Sequence, residues 1–300
     1  MSMSRLIRGL ITLLLLVGAS AAQSELLKPM VLAYGKPGTD VAAEAANVRN
    51  RLTSAGFQFL GEYGIDSAAT VLVFTSSELL AAAASSERGA YVAPLRVAVT
   101  RVNGQLQVSY NNLEYFRHAY QVERPLTAVM SRVASAIGAQ EPFGAEGLSP
   151  ATLSRYRYAF GMERFNDPYQ LASYPSRERA LAALDANLRA GKGGVREIYR
   201  VEIPGRDATL IGVAIREDAG AERSASDLFK MSTVDVGARR HTVYLPYEIL
   251  VSGGRVEALH MRFRMALHFP DLSMMGDNSF MQLRRSPPAV EKALTQAAGG

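Results

Sequence analysis

The chain has 300 residues, 48% of them hydrophobic, and no cysteine. The missing cysteines exclude disulfides, thiolate nucleophiles and zinc sites built on sulfur, and the length favours two domains over one. Formal net charge is +5 with no long lysine or arginine run, which argues against a phosphate-tracking surface and against nucleic acid as a partner.

The N-terminus is ordered as a secretory signal: Arg5 and Arg8, an apolar run from Leu10 to Val17, then the small residues Gly18, Ala19, Ser20, Ala21 and Ala22. Residues 1–22 are therefore expected to be removed after Ala21 or Ala22, leaving a periplasmic or secreted protein whose two fewer arginines lower the net charge to +3. The apolar run is shorter than the roughly 20 residues a helix needs to cross a bilayer core. With no cysteine to carry lipid and no later apolar segment of that length, no transmembrane segment is expected after cleavage.

Residues 25–139 read as a first α+β domain. Met30 to Tyr34 is strand-like, and a helix capped by Thr39 or Asp40 carries Val41, Ala45, Val48, Leu52 and Ala55 on one face before Gly56. Strands follow at 57–61 and 70–75, then an alanine-rich helix at 78–85. Leu95, Val97 and Val99 alternate with polar or small residues, Asn103-Gly104 makes a hairpin turn, and Leu106, Val108 and Tyr110 alternate on the return. A helix with Leu126, Val129, Met130, Val133 and Ile137 on one face completes the order β-α-β-β-α-β-β-α.

Residues 140–153, rich in Gly, Pro, Glu and Ala, read as a linker, and residues 154–300 repeat the order. A strand is expected on Tyr156, Tyr158 and Phe160, with Arg155 and Arg157 alternating as on an edge strand, and then a helix after Ser176 with Ala180, Leu181, Leu184 and Leu188. Gly191, Gly193 and Gly194 terminate that helix, and strands follow at 195–203 and 208–215. Residues 216–240 read as a charged surface loop, 244–251 and 255–267 as a hairpin, and Ser286-Pro287 as the start of a last helix. The halves align on Gly56 with Gly194, Ala69 with Ala208, Pro94 with Pro246, Val99 with Val251, Gly104 with Gly254 and His118 with His268. The expected fold is thus two tandem α+β domains, each an antiparallel sheet with helices packed against it.

The stretch Ala93-Pro94-Leu95-Arg96-Val97-Ala98-Val99, the turn at Asn103-Gly104, and Val108-Ser109-Tyr110-Asn111-Asn112-Leu113-Glu114-Tyr115 resemble the signature of the domain of unknown function 302 family. Asn112 and Leu113 stand where that family often has Asp and Pro. The resemblance covers roughly Met30 to Gly138, and Leu245-Pro246-Tyr247-Glu248-Ile249-Leu250-Val251 echoes it, with His260-Met261 where Tyr110-Asn111 stand. It implies an antiparallel sheet with packed helices and brings no established activity.

No nucleophile elbow, zincin pair or phosphate-binding loop is present; Gly191-Lys192-Gly193-Gly194 lacks both the preceding glycine and the following hydroxyl. No cofactor is expected. Two clusters can carry chemistry. Tyr110, Asn111, Asn112, Tyr115 and His118 form a polar strand end able to hydrogen-bond a small ligand, or else to satisfy a loop. His268, Met274, Met275 and Met281 combine ligand types that suit copper in the absence of thiols, whereas Met261 and Met265, sharing a strand face with Leu259 and Phe263, belong to the core. The leading expectation is an exported non-enzymatic protein that binds a small ligand or partner protein through two similar domains. Soft-metal (copper) binding by the second domain and an unassigned enzyme are the alternatives.

Overall fold

The computed structural model describes residues 26–300; the leader expected at 1–22 lies outside them. The first half runs β1 (Met30–Pro37), α1 (Val41–Ser54), β2 (Gln58–Asp66), β3 (Ala69–Thr75), α2 (Ser77–Ala83), β4 (Leu95–Val102), β5 (Gln105–Asn111), α3 (Leu113–Ala119), α4 (Thr127–Ile137) and β6 (Glu141–Phe143). A short α5 (Pro150–Leu153) precedes the second half: β7 (Tyr169–Ser173), α6 (Arg177–Arg189), β8 (Val195–Glu202), β9 (Ala208–Ile215), α7 (Asp227–Val234), β10 (Tyr247–Ser252), β11 (Arg255–Ala258), α8 (Met261–His268) and α9 (Ser286–Ala298).

Both sheets are antiparallel and share one strand order: β2-β3-β4-β5-β1 with β6 added at the end, and β8-β9-β10-β11-β7. The aligned landmarks fall at matching boundaries. Pro94 and Pro246 each precede the first residue of a strand, Leu95 of β4 and Tyr247 of β10, and Gly104 and Gly254 each close the hairpin into β5 and β11. The fold is α+β with the expected order in each half, plus one short helix per half that the sequence pattern missed.

One face of the first sheet, carrying Leu72, Val97 and Tyr110 in register, lies under α1 and α4. The other face carries Tyr63, Val73, Arg96 and Gln107 and meets the second half, where Arg96 reaches Glu248 and Gln107 Nε2 donates to the Ala238 carbonyl at 2.6 Å. Strands covered on both sides must be apolar on both sides, which is why every residue of β9 and most of β4 is buried. Where β2 lies against β8 the backbones approach so closely that a Cβ at Gly61 would run into the Ile198 carbonyl. A single apolar cluster extends through both halves.

Several expectations are corrected. The segment containing Tyr156, Tyr158 and Phe160 is not a strand: β7 begins at Tyr169, and Phe160 is 96% exposed. The expected linker supplies β6 as a partner for β1, and Leu27 bridges to Leu148. Residues 216–240 are not a solvated loop. Their helix α7 buries Asp227 and Lys230 completely.

The return strand after Gly254 ends at Ala258, and residues 261–268 form α8. Leu259, Met261, Phe263 and Met265 fit strand alternation, but Met261, Arg264, Met265 and His268 also fit helical spacing, and the cap at His260 decides for the helix. Asn112 and His260 are the equivalent N-caps of α3 and α8, so His260-Met261 matches Asn112-Leu113 rather than Tyr110-Asn111. Counted from those caps, His118 and His268 are not equivalent.

Candidate functional site

Helix α8 places Met261 and Met265 one turn apart on one face, both about 1% exposed, as the floor of a cavity of about 200 Å³. The chain from α8 to α9 closes over it. Phe280 N–H donates to Ser273 O at 3.0 Å and Met281 N–H to Met274 O at 3.2 Å, which holds Met274 and Met281 side by side at the mouth. Met162 completes a lining of five thioethers, and Tyr158 and Phe280, with ring centroids 4.9 Å apart, form an aromatic wall. Met274 and Met281 remain 43% and 39% exposed, so the cavity opens to solvent through them.

Polar groups are confined to the rim. Glu163 Oε1 accepts from Arg262 Nη1 at 2.7 Å and lies 3.3 Å from His260 Nε2, while its buried Oε2 has no hydrogen-bond partner among the described residues. His260 accepts the Arg262 N–H on Nδ1 at 3.2 Å, which leaves the ring proton on Nε2. Burial, reinforced by Arg262 against the pull of Glu163, pushes the imidazole down to about 4, so it is neutral at pH 7. A ligand here meets an apolar, deformable wall with the Glu163 side chain among the lining groups.

A second, more open cleft of about 630 Å³ runs between the halves, bounded by Tyr63 and Ile65 on one side and Arg216, Arg223 and Phe229 on the other. Arg216 clamps Asp218 there, and the Arg223 guanidinium lies 5.6 Å from the Phe229 ring centre. Tyr63 OH donates to Asp227 Oδ2 at 3.0 Å across the junction, and Lys230 Nζ is ion-paired to Asp227 Oδ1 at 3.0 Å.

Each side chain of the polar strand end has an internal role. Tyr110 OH donates to Gly138 O at 3.2 Å, Asn111 Oδ1 accepts the Arg96 N–H at 2.7 Å, and Tyr115 OH donates to Leu267 O at 3.0 Å. Asn112 Oδ1 caps α3 by accepting from Glu114 and Tyr115 N–H, while its Nδ2 donates to Lys28 O. His118, lowered by burial and by Arg117, lies beside Arg117 and 4.0 Å from Glu114. None of the five lines either cavity described above.

The other cluster divides. Met274 and Met281 line the methionine cavity, Met275 does not, and His268 is buried at the junction, where Nδ1 donates to Arg264 O at 2.8 Å and Nε2 accepts from Arg96 Nη2 at 3.3 Å. Met261, Met265 and Met162 were missed as lining residues. The i, i+4 spacing of the first two was the available signal. Among the described residues no group of three His, Asp or Glu side chains is arranged to hold a metal, and no helix is long and apolar enough to cross a membrane. No family model matches the chain, and neither a curated protein nor a solved structure matches it.

Proposed function

We propose that the protein is an exported, non-catalytic binding protein whose second half holds a small, largely apolar ligand in the methionine cavity. The observation that carries this is the lining: five thioethers and two aromatic rings, with the Glu163 carboxylate beside them. Methionine cavities adapt to ligand shape at little cost, and the carboxylate favours a ligand bearing a hydroxyl or amine donor. The first half, with its resemblance to the domain of unknown function 302 family, serves as a buttress for the second. Export rests on the order of residues 1–22; N-terminal sequencing of protein from the cell envelope should begin near Ala22 or Gln23, and an intact Met1 there contradicts it.

The binding test is a fluorescence titration with 1-aminoanthracene, an apolar ring system carrying one amine. Micromolar binding is expected, weakened at least about tenfold by Met274→Asp or Met281→Asp, which put a charge at the mouth without disturbing the floor. No binding, or binding indifferent to both substitutions, overturns the proposal.

One observation favours a second occupant: thioethers are soft ligands that suit Cu(I), and five face the same space. Thioethers do not titrate, so Cu(I) held this way is retained between pH 7 and pH 5 in competition with a chelator, and His268→Ala leaves it unchanged. A site built on His268 with Met274, Met275 and Met281 instead loses affinity below about pH 6.5.

A further inference from the structure

Two arginines and one glutamate meet in the core between the halves with no access to solvent. Glu248 Oε1 accepts from Arg96 Nη1 at 3.4 Å and from Tyr199 OH at 3.0 Å, and Glu248 Oε2 accepts from Arg264 Nη2 at 3.2 Å. The side chains of Arg96, Arg264 and Glu248 are 1%, 0% and 1% exposed. Gly212 makes the arrangement possible, because any Cβ there would occupy the space of the Tyr199 ring that reaches Glu248.

The charges in this group do not cancel. Two guanidiniums face one carboxylate, and the nearest other buried acids are already matched, Glu257 by Arg88 and Asp227 by Lys230. His268 adds no further positive charge, because burial, with Arg96 and Arg264 adding to it, holds its ring neutral. Nor do the surrounding phenols supply negative charge, since burial raises Tyr91 and Tyr244 above their ordinary value and pushes Tyr120 up to about 12. Donors also outnumber acceptors. Arg96 Nε, Arg264 Nε and Nη1, and the hydroxyls of Tyr91, Tyr120 and Tyr244 are buried without a hydrogen-bond partner among the described residues.

An uncompensated buried charge costs several kcal/mol, and unsatisfied buried donors add to that cost. We infer that the core between the halves is a binding site for a small monovalent anion of halide size, held by the free N–H groups of Arg96 and Arg264 and by the neighbouring tyrosine hydroxyls. The anion brings the group to neutrality and gives the surplus donors an acceptor. It also ties the two halves together, since Arg96 comes from the first and Arg264 from the second. This inference is independent of the methionine cavity, which shares no lining residue with the arginine cluster.

The test compares sodium bromide with sodium gluconate at equal ionic strength. The melting temperature of the wild-type protein is expected to rise by about 2–4 °C in bromide, and crystals grown in bromide should show an anomalous peak within hydrogen-bonding distance of Arg96 or Arg264. Arg96→Met removes one positive charge and should abolish the bromide response, which separates site binding from a general salt effect. If that variant does not fold, the wild-type peak still decides. A bromide response without a peak at these arginines, a response that survives in a folded Arg96→Met, or no response at all overturns the inference.

Discussion

The two halves share an element order and a strand order, and they differ where the second has longer connections. Between α3 and α4 the first half uses only residues 120–126. Between α8 and α9 the second half uses residues 269–285, and that longer chain folds back to roof the methionine cavity. Likewise residues 76–94 join β3 to β4 through α2, whereas the longer stretch 216–246 joins β9 to β10, and its helix α7 places the Asp227–Lys230 pair against Tyr63 of the first half. A repeated frame supplies rigidity, and the longer segments on one copy supply the cavity and the cement between copies.

The junction is where breaking this comparison costs most. Arg96 and Glu248 are the second residues of matching strands, β4 and β10, so equivalent positions carry opposite charges and meet across the interface. Glu248→Ala leaves two buried guanidiniums facing each other, and a loss of about 4–5 kcal/mol is expected in urea unfolding. A loss below about 1 kcal/mol would show that the junction relaxes and that the halves are held by apolar contact alone.

Helix α7 comes next. Lys230→Met strips Asp227 of its cation, although Tyr63 OH and Ile215 N–H still donate to the carboxylate. About 3 kcal/mol of destabilisation is expected, with part of it recovered when Asp227→Asn is added, because removing both charges removes the buried imbalance. A double variant worse than the single one contradicts an ion-pair role.

The smallest effects compare the two caps. Asn112→Ala and His260→Ala should each cost about 1 kcal/mol, but only the second half should be acid-sensitive through its cap. Burial holds His260 at about 4, below the 6.5 of a free imidazole, so between those values the unfolded chain takes up a proton that the folded chain refuses. That contribution is full above about pH 6.5 and falls as pH drops toward 4, and His268, lowered in the same direction, adds to it. His260→Asn, which keeps a capping acceptor, should flatten part of the fall in melting temperature between pH 6.5 and pH 4. An unchanged pH profile would place the acid sensitivity elsewhere.

How much of this was legible in the sequence follows from what each element depends on. Proline and glycine act locally, so Pro94, Pro246, Gly104 and Gly254 marked strand starts and hairpins correctly. The short helices α3 and α8 were not legible: only one or two residues separate each from the preceding strand, their caps Asn112 and His260 read as parts of the strands, and the apolar alternation of residues 259–265 fits either periodicity. The edge strand β6 takes its identity from β1, far away in the chain, so its composition read as a linker. The methionine cavity was half legible. Met274 and Met281 stood out as unpatterned loop residues, while Met261 and Met265 looked like core, because on a strand they would share a face with Leu259 and Phe263. The junction charges were not legible at all: Arg96 and Glu248 look like ordinary polar positions on alternating strands until the second half covers them.

The most direct test of the central claim is where a ligand sits. A crystal structure of the protein grown with 1-aminoanthracene should show the ring system between α8 and the 269–285 segment, in contact with Met261 and Met265 and with its amine directed at the Glu163 carboxylate. Density for the probe in the cleft beside Arg216 and Arg223, with the methionine cavity unchanged, would contradict the account.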